Sequence, residues 1–117
     1  MLLSGNKVAL QILNATELRL QENQLTPGIG VILVGDDAPS HLYVGIKETR
    51  ALELGIHFSK KVFAPDVREE EIIATITEWN DRGDIHGIIV QLPLPDQLNV
   101  DKVIAAIEPS KDTDGFH

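Results

Sequence analysis

The chain contains no cysteine, which excludes disulfides and thiolate metal sites. Its four histidines lack a second ligand at metal-binding spacing, so we expect no metal. No apolar run approaches the length of a membrane span, and the N-terminus lacks the basic region and apolar core of a secretory signal. We therefore expect a cytoplasmic protein with no membrane partner.

Basic residues are also scarce: 10 lysines and arginines stand against 18 aspartates and glutamates, which gives a formal net charge of −8. A nucleic-acid partner is not expected, because binding would need a basic face that neutralises phosphates. An anionic small molecule is still allowed, since Lys47 and Arg50 provide a local positive patch. The 117 residues are enough for one domain with its own core.

Helical and strand patterns alternate along the chain. Apolar spacing predicts helices over about residues 7–25, 40–54, 66–81 and 99–107, and strands over residues 29–34, 61–63 and 88–90. Before the third helix, Asp66 and Glu69 have the spacing of a capping box. This order predicts an α/β fold, a three-layer α/β/α domain with a mostly parallel sheet.

The most informative segment is residues 87–95, where a β-branched strand runs into Gln91 and then into Pro93 and Pro95. Neither proline has an N–H that could extend the ladder, so the strand must stop here. Gln91 is thus expected at the carboxyl end of a parallel strand, where open α/β sheets bind their ligands. The alternative is an amide that only caps a loop. One or both Leu-Pro bonds are candidates for cis peptides.

Tyr43 and Lys47 are four residues apart, so they share one face of the second predicted helix. That helix begins after the turn that ends the first strand, near the sheet edge expected for Gln91. Gly45 lies between them, and a glycine inside a helix suggests close approach of another group to the backbone. The alternative is an amphipathic tyrosine beside a solvated lysine.

A lysine at this edge transfers protons near neutral pH only when its amine is uncharged. Burial against Leu92 and Leu94 would favour the uncharged amine. A neutral amide at Gln91 suits this role, because it can hydrogen-bond the amine without adding a counter-charge.

The segment 111–115 reads first as a turn, because Asp-Gly and acidic residues beside a threonine are common turn formers. A carboxylate there could instead accept two parallel hydrogen bonds from an amino-pyrimidine edge. The last residues, Gly115-Phe116-His117, place an apolar side chain after a turn with nothing following to bury it. We therefore expect the chain to be truncated.

Four motifs, taken in order, resemble one family: Val34-Gly35-Asp36-Asp37, Ser40-x-x-Tyr43-Val44-x-x-Lys47, Gly87-Ile88-Ile89-Val90-Gln91-Leu92-Pro93-Leu94-Pro95 and Lys111-Asp112-Thr113-Asp114-Gly115-Phe116-His117. The family is the bifunctional methylenetetrahydrofolate dehydrogenase/methenyltetrahydrofolate cyclohydrolase, or FolD, family. The resemblance spans residues 1–117 and implies the family's N-terminal, folate-binding catalytic domain, of the aminoacid-dehydrogenase-like type. The family's C-terminal Rossmann domain, which holds NADP, would lie outside this chain. One departure is His41, where the family often has glutamine.

The resemblance also implies roles for single residues. Lys47 matches the catalytic lysine, Gln91 matches the glutamine that tunes its protonation, and Tyr43 matches a catalytic tyrosine that stacks on the folate. No cofactor-binding residue is implied within this chain. The other implied substrate-binding residues are Pro93, Asp114 and Ser40.

Enzymes of this family oxidise methylene-tetrahydrofolate with NADP and hydrolyse the methenyl product to formyl-tetrahydrofolate. The resemblance therefore implies a part in one-carbon metabolism, which serves purine and amino-acid biosynthesis, and a homodimeric full-length enzyme. We expect the chain alone to lack dehydrogenase activity, since hydride transfer needs the nicotinamide held against the folate by the second domain.

Two other classes are alternatives. A receiver-like signalling domain is suggested by the acidic pair Asp36-Asp37, but such a domain needs an aspartate where Gln91 ends the third strand. A non-catalytic substrate-binding or oligomerisation module of the same architecture is the second alternative, because a fold does not fix a function.

Overall fold

The computed structural model describes residues 2–117, in which helices and strands alternate as the apolar spacing predicts. A single 3₁₀ turn, Pro109–Lys111, follows the last helix. Each strand is followed by a helix, which is the connection that parallel strands require. The elements are helix α1 (Gly5–Glu22), strand β1 (Gly28–Val34), helix α2 (Ala38–Glu53), strand β2 (His57–Phe63), helix α3 (Glu69–Asn80), strand β3 (Gly87–Val90) and helix α4 (Val100–Ala105).

The three strands form one sheet in the order β2-β1-β3, and both pairings are parallel. Val34 of β1 pairs with Phe63 of β2, and Ile32 of β1 pairs with Val90 of β3. The carboxyl ends of all three strands therefore meet along one edge. The predicted α/β fold with a parallel sheet is confirmed, and β2 begins four residues earlier than the predicted strand 61–63.

Side chains alternate between the two faces of the sheet, as the pleat of a strand dictates. One face packs against α3 and α4 and forms the larger core, whose buried members include Trp79. The other face packs against α2 through a smaller cluster: Val31, Leu33, Val44 and Ile89, with Ile29 and Phe58 at its border. Helices on both sides of the sheet give the layered arrangement expected from the sequence.

Glycine is required at position 30, where the chain passes directly beneath the ring of Trp79. A Cβ built on Gly30 would lie 2.5 Å from Cε3 of that ring, which is far inside van der Waals contact. Because the ring lies so close to the strand backbone, α3 packs tightly on the sheet. Trp79 is thus a packing residue.

Helix α1 buries none of its residues against the rest of the described chain. Val8, Ile12 and Leu18 are each more than half exposed, and Leu13 and Leu20 are partly buried. The apolar spacing correctly predicted a helix, but it does not show which surface a helix covers. Within residues 2–117, no helix is both long and apolar enough to cross a membrane.

The capping box expected from Asp66 and Glu69 is not formed. Helix α3 begins at Glu69, and the preceding residue, Arg68, makes no side-chain cap hydrogen bond. The Glu69 carboxylate instead accepts hydrogen bonds from the backbone N–H of Asn99 and from Lys102 Nζ, at 3.1 Å each. It therefore links α3 to the start of α4, because a tertiary partner has replaced the local one.

We predict that Ile76→Ala lowers the free energy of unfolding by about 2–5 kcal/mol, because it opens a cavity at a fully buried site of α3. Ile12→Ala in α1 is the matched control and should change it by less than about 0.5 kcal/mol, since that side chain is 61% exposed. Urea denaturation of the 117-residue chain measures both. Equal losses in the two variants would contradict the packing described above.

Candidate active site

Strand β3 ends at a junction that fixes Gln91 on the sheet edge. The backbone N–H of Gln91 donates to the carbonyl of Ile32 at 2.9 Å, which extends the pairing with β1 by one residue. The Leu92–Pro93 peptide bond that follows is cis, which confirms the expectation of a cis Leu-Pro bond at this position. Gln91 thus lies at the carboxyl end of a parallel strand, as predicted.

The side chain of Gln91 meets Lys47 of α2 at this edge. Lys47 Nζ donates a hydrogen bond of 2.7 Å to Gln91 Oε1, and both residues are half-buried. Gln91 Nε2 donates to the carbonyl of Leu92 at 3.3 Å, which orients the amide so that its oxygen faces the lysine. Among residues 2–117, no carboxylate forms an ion pair with Lys47.

The apolar surroundings of Lys47 differ from those expected. Leu94 is buried in the core on the α3 and α4 side of the sheet, and Leu92 packs against that core too. The lysine instead borders an apolar cavity of about 280 Å³ on the α2 side. The expected burial against Leu92 and Leu94 is therefore wrong. The other residues that line the cavity are Ile29, Ile46, Arg50, Ala51, Leu54, Ile56, Phe58 and Ile89.

The start of α2 is fixed by Asp37 and Ser40. The Asp37 carboxylate accepts the backbone N–H of Ser40 at 3.1 Å and its hydroxyl at 2.6 Å, so Asp37 is the N-cap. The Ser40 hydroxyl and then its backbone N–H hold the pKa of Asp37 below its ordinary value. Ser40 is only 2% exposed, and its oxygen lies 3.5 Å from the carbonyl of Leu92. It therefore joins the helix start to the loop after β3.

Tyr43 and Pro93, on the segments that carry Lys47 and Gln91, are both exposed. Tyr43 lies one turn before Lys47 on α2 and is 54% exposed. Pro93 is exposed between the half-buried Leu92 and the buried Leu94. Gly45 faces open space, since a Cβ there would meet nothing within 4 Å, so the expected close approach to this glycine is absent from the described chain.

Asp114 lies on a turn at the end of the described chain. The Gly115 N–H is shared between the backbone carbonyl of Asp112, at 3.3 Å, and the carboxylate Oδ1 of the same residue, at 3.1 Å, and Gly115 has a φ of +70°. Asp112 forms a parallel bridge with Ile88 of β3. Within residues 2–117, the Asp114 side chain makes no hydrogen bond or ion pair, so it is not hydrogen-bonded to Lys47 or Gln91.

Two neighbours of Asp114 have roles that the motif alone did not reveal. Lys111 Nζ donates to the carbonyls of Trp79 and Arg82, at 3.1 and 2.9 Å, and so caps the end of α3. Asp112 accepts three backbone N–H groups. The structure reveals these contacts, whereas the sequence signal of this segment is that of an ordinary turn.

A sequence model of the tetrahydrofolate dehydrogenase/cyclohydrolase catalytic domain matches residues 3–114. The chain belongs to this family. Within residues 2–117, no group of three or more histidines, aspartates or glutamates is placed to hold a metal ion.

Relatives and crystal structures of the family cover nearly all of this chain. It is 44% identical to the bifunctional protein FolD 2 of Geobacter sulfurreducens, over 99% of its own length and 42% of that protein. A 5,10-methylenetetrahydrofolate dehydrogenase from the silkworm, Bombyx mori, matches 97% of it with a TM-score of 0.92 and 36% identity, over 41% of that chain.

A dehydrogenase-cyclohydrolase of Trypanosoma brucei, solved with NADP cofactor and inhibitor, matches 96% of this chain with a TM-score of 0.88 and 26% identity, over 39% of its own length. The chain thus spans about two fifths of the length of these relatives.

We predict that Asp37→Ala lowers the thermal midpoint near neutral pH, because it removes the cap of the helix that carries Lys47. The folded-state pKa of Asp37 lies below its ordinary value of 3.8. The stabilisation is therefore complete above that value and is lost as the pH falls through the folded-state pKa. The gap between wild type and variant should shrink in acid, as measured by thermal unfolding at several pH values.

Asp36→Ala is the control, because Asp36 is exposed and makes no side-chain hydrogen bond within residues 2–117. A gap for Asp37→Ala that stays constant from neutral pH into strong acid would contradict the role of its carboxylate.

Proposed function

We propose that this chain is the folate-binding catalytic part of an enzyme that oxidises methylene-tetrahydrofolate with NADP and hydrolyses methenyl-tetrahydrofolate to formyl-tetrahydrofolate. The observation that carries the proposal is the 2.7 Å hydrogen bond between Lys47 Nζ and Gln91 Oε1 at the carboxyl edge of the sheet, in a member of this family. Ligands of open parallel sheets bind at this edge.

Folate binding is assigned to the exposed groups around this pair. The ring of Tyr43 offers a flat face on which an aromatic part of the folate stacks. Pro93 forms a wall beside Gln91, and the Asp114 carboxylate accepts two parallel hydrogen bonds from the amino-pyrimidine edge. Each group is exposed, and Asp114 has no hydrogen-bond partner within residues 2–117.

Hydrolysis is the half of the reaction that these residues can perform themselves. The methenyl carbon carries positive charge, so a water oxygen adds to it and one water proton must leave. We propose that Lys47 Nζ accepts that proton. The hydroxyl on the former methenyl carbon then loses its proton, while one folate nitrogen gains a proton and its C–N bond to this carbon breaks, which leaves the formyl group and one net released proton. Gln91 contributes an acceptor oxygen that holds Lys47 in place without placing a full negative charge beside it.

We propose that the buried Ser40 supports this chemistry by linking α2 to the loop after β3. Its hydroxyl is held by Asp37 and lies beside the carbonyl of Leu92, which also receives the Gln91 amide. Ser40 therefore helps to keep α2 in register with the loop that carries Gln91. Lys47 and Gln91 belong to these two segments.

The described residues do not fit NADP. A dinucleotide pyrophosphate needs a glycine-rich turn leading into a helix N-terminus with free N–H groups. Within residues 2–117, one turn leads directly from a buried strand into a long helix. This turn is Gly35-Asp36-Asp37, and there the Asp37 carboxylate already caps α2. We assign NADP to a second, Rossmann-type domain, which supplies the hydride acceptor when the cofactor is bound.

The complete enzyme is further proposed to be a cytoplasmic homodimer. The alternative, a non-catalytic oligomerisation module, is favoured by one observation, the exposed apolar residues of α1 such as Ile12. A stable dimer of the chain that binds no folate would favour that alternative.

We predict that the 117-residue chain binds a folate analogue weakly, and that Lys47→Met and Asp114→Ala each reduce the affinity by about tenfold, because each removes a polar partner of the ligand. Calorimetric titration measures this. Lys7→Met is the control, since it removes the same charge from the exposed face of α1. Equal heats from all four proteins would remove the site assignment.

The chain alone should show no NADP-dependent oxidation of methylene-tetrahydrofolate, because nothing within residues 2–117 holds the nicotinamide against the folate. The rise in NADPH absorbance measures this, with the Trypanosoma brucei dehydrogenase-cyclohydrolase, which was solved with NADP, as a positive control. Turnover by the 117-residue chain would refute the assignment of NADP to another domain.

A further inference from the structure

The carboxylate of Asp112 is surrounded by the backbone of the residues that follow it. Its Oδ1 accepts the N–H groups of Gly115 at 3.1 Å and Phe116 at 3.3 Å. Its Oδ2 accepts the N–H of His117 at 2.9 Å. Three successive N–H groups thus converge on one anion, an arrangement that only an acceptor with two oxygens can satisfy.

The segment is attached to the body of the protein at its other end. Lys111 holds the end of α3, and Asp112 bridges to Ile88 of β3. The side chain of Thr113 lies directly over Gly87, where a Cβ would overlap the threonine hydroxyl. Residues 111–113 are therefore held on β3 and α3. Residues 115–117 are held by the Asp112 carboxylate and, at His117, also by a hydrogen bond between its ring Nε2 and the carbonyl of Ile107.

Asp114 lies between these two attachments and has no hydrogen-bond partner of its own within residues 2–117. Its position is consequently decided by how the chain enters the turn and how it leaves. The entry is set by the sheet. Two side chains set the exit. Asp112 accepts the N–H groups of all three residues after Asp114, and the His117 ring is hydrogen-bonded to the carbonyl of Ile107.

We propose that Asp112 is a positioning residue for folate recognition: its carboxylate closes the turn of residues 112–117 and thereby sets the place of the Asp114 carboxylate. The proposal rests on the folate site of the proposed function. The negative charge is needed because hydrogen bonds to a carboxylate are roughly twice as strong as those to a neutral acceptor. The N–H groups of His117 and its neighbours also keep the pKa of Asp112 below its ordinary value, so the charge is present near neutral pH.

Asp112→Asn is the informative substitution. Asparagine keeps the size of the side chain but has one acceptor oxygen, so it cannot receive all three N–H groups in this geometry. The turn should open at its exit while its attachment to β3 remains. Amide hydrogen exchange at Gly115, Phe116 and His117 should become faster, and exchange in β1 should stay the same.

A double-mutant cycle for folate-analogue affinity separates this role from general stability. In the wild-type chain, Asp112→Asn should weaken binding by about tenfold. In an Asp114→Ala background it should weaken binding by less than about twofold, because Asp112 acts through Asp114. Asp66→Asn is the control, since it removes the same charge from an exposed loop without side-chain hydrogen bonds in the described chain.

The outcomes are distinct. Equal losses of affinity in both backgrounds, no loss in either, or unchanged exchange at residues 115–117 would overturn the positioning role while leaving the folate site standing. Absence of binding by the wild-type chain would instead overturn the proposed function, and the positioning role with it. The proposal is supported if Asp112→Asn weakens folate-analogue binding only when Asp114 is present, and if amide hydrogen exchange at residues 115–117 becomes faster.

Discussion

Gln91 connects the sheet to α2, the helix that carries Lys47. Its backbone N–H belongs to the parallel pairing with β1, and its side-chain oxygen accepts Lys47 Nζ. The prolines that follow stop the strand at this residue, since they have no N–H to donate. The amide therefore faces the open edge of the sheet, where it is available to α2. Tyr43 lies one turn before Lys47 on α2 and Pro93 lies two residues after Gln91, so the two segments that meet here also carry these residues.

Local residue patterns predicted most of the helices and strands, because these elements depend mainly on the residues within them. β-branched runs produced the buried strands, and helical apolar spacing produced α2. The meeting of Lys47 and Gln91 was also predictable, because parallel topology brings the carboxyl ends of strands and the starts of the following helices to one edge.

Contacts that no local residue pattern specifies could not be predicted from the sequence. Glu69 was expected to cap its own helix but bonds Asn99 and Lys102 instead. Leu94 was expected beside the lysine but lies in the core on the other face, because the direction of the chain after the prolines is not encoded in their spacing. Asp112 resembled an ordinary turn residue, and only its three N–H partners distinguish it.

Backbone amide shifts recorded during titration with a folate analogue show where on the chain folate binds. If the carboxyl edge of the sheet is the folate site, the shifts concentrate in residues 35–47, 91–95 and 112–117. Shifts concentrated at the opposite edge, around Gly28 and His86, or the absence of shifts at saturating analogue, would contradict this assignment.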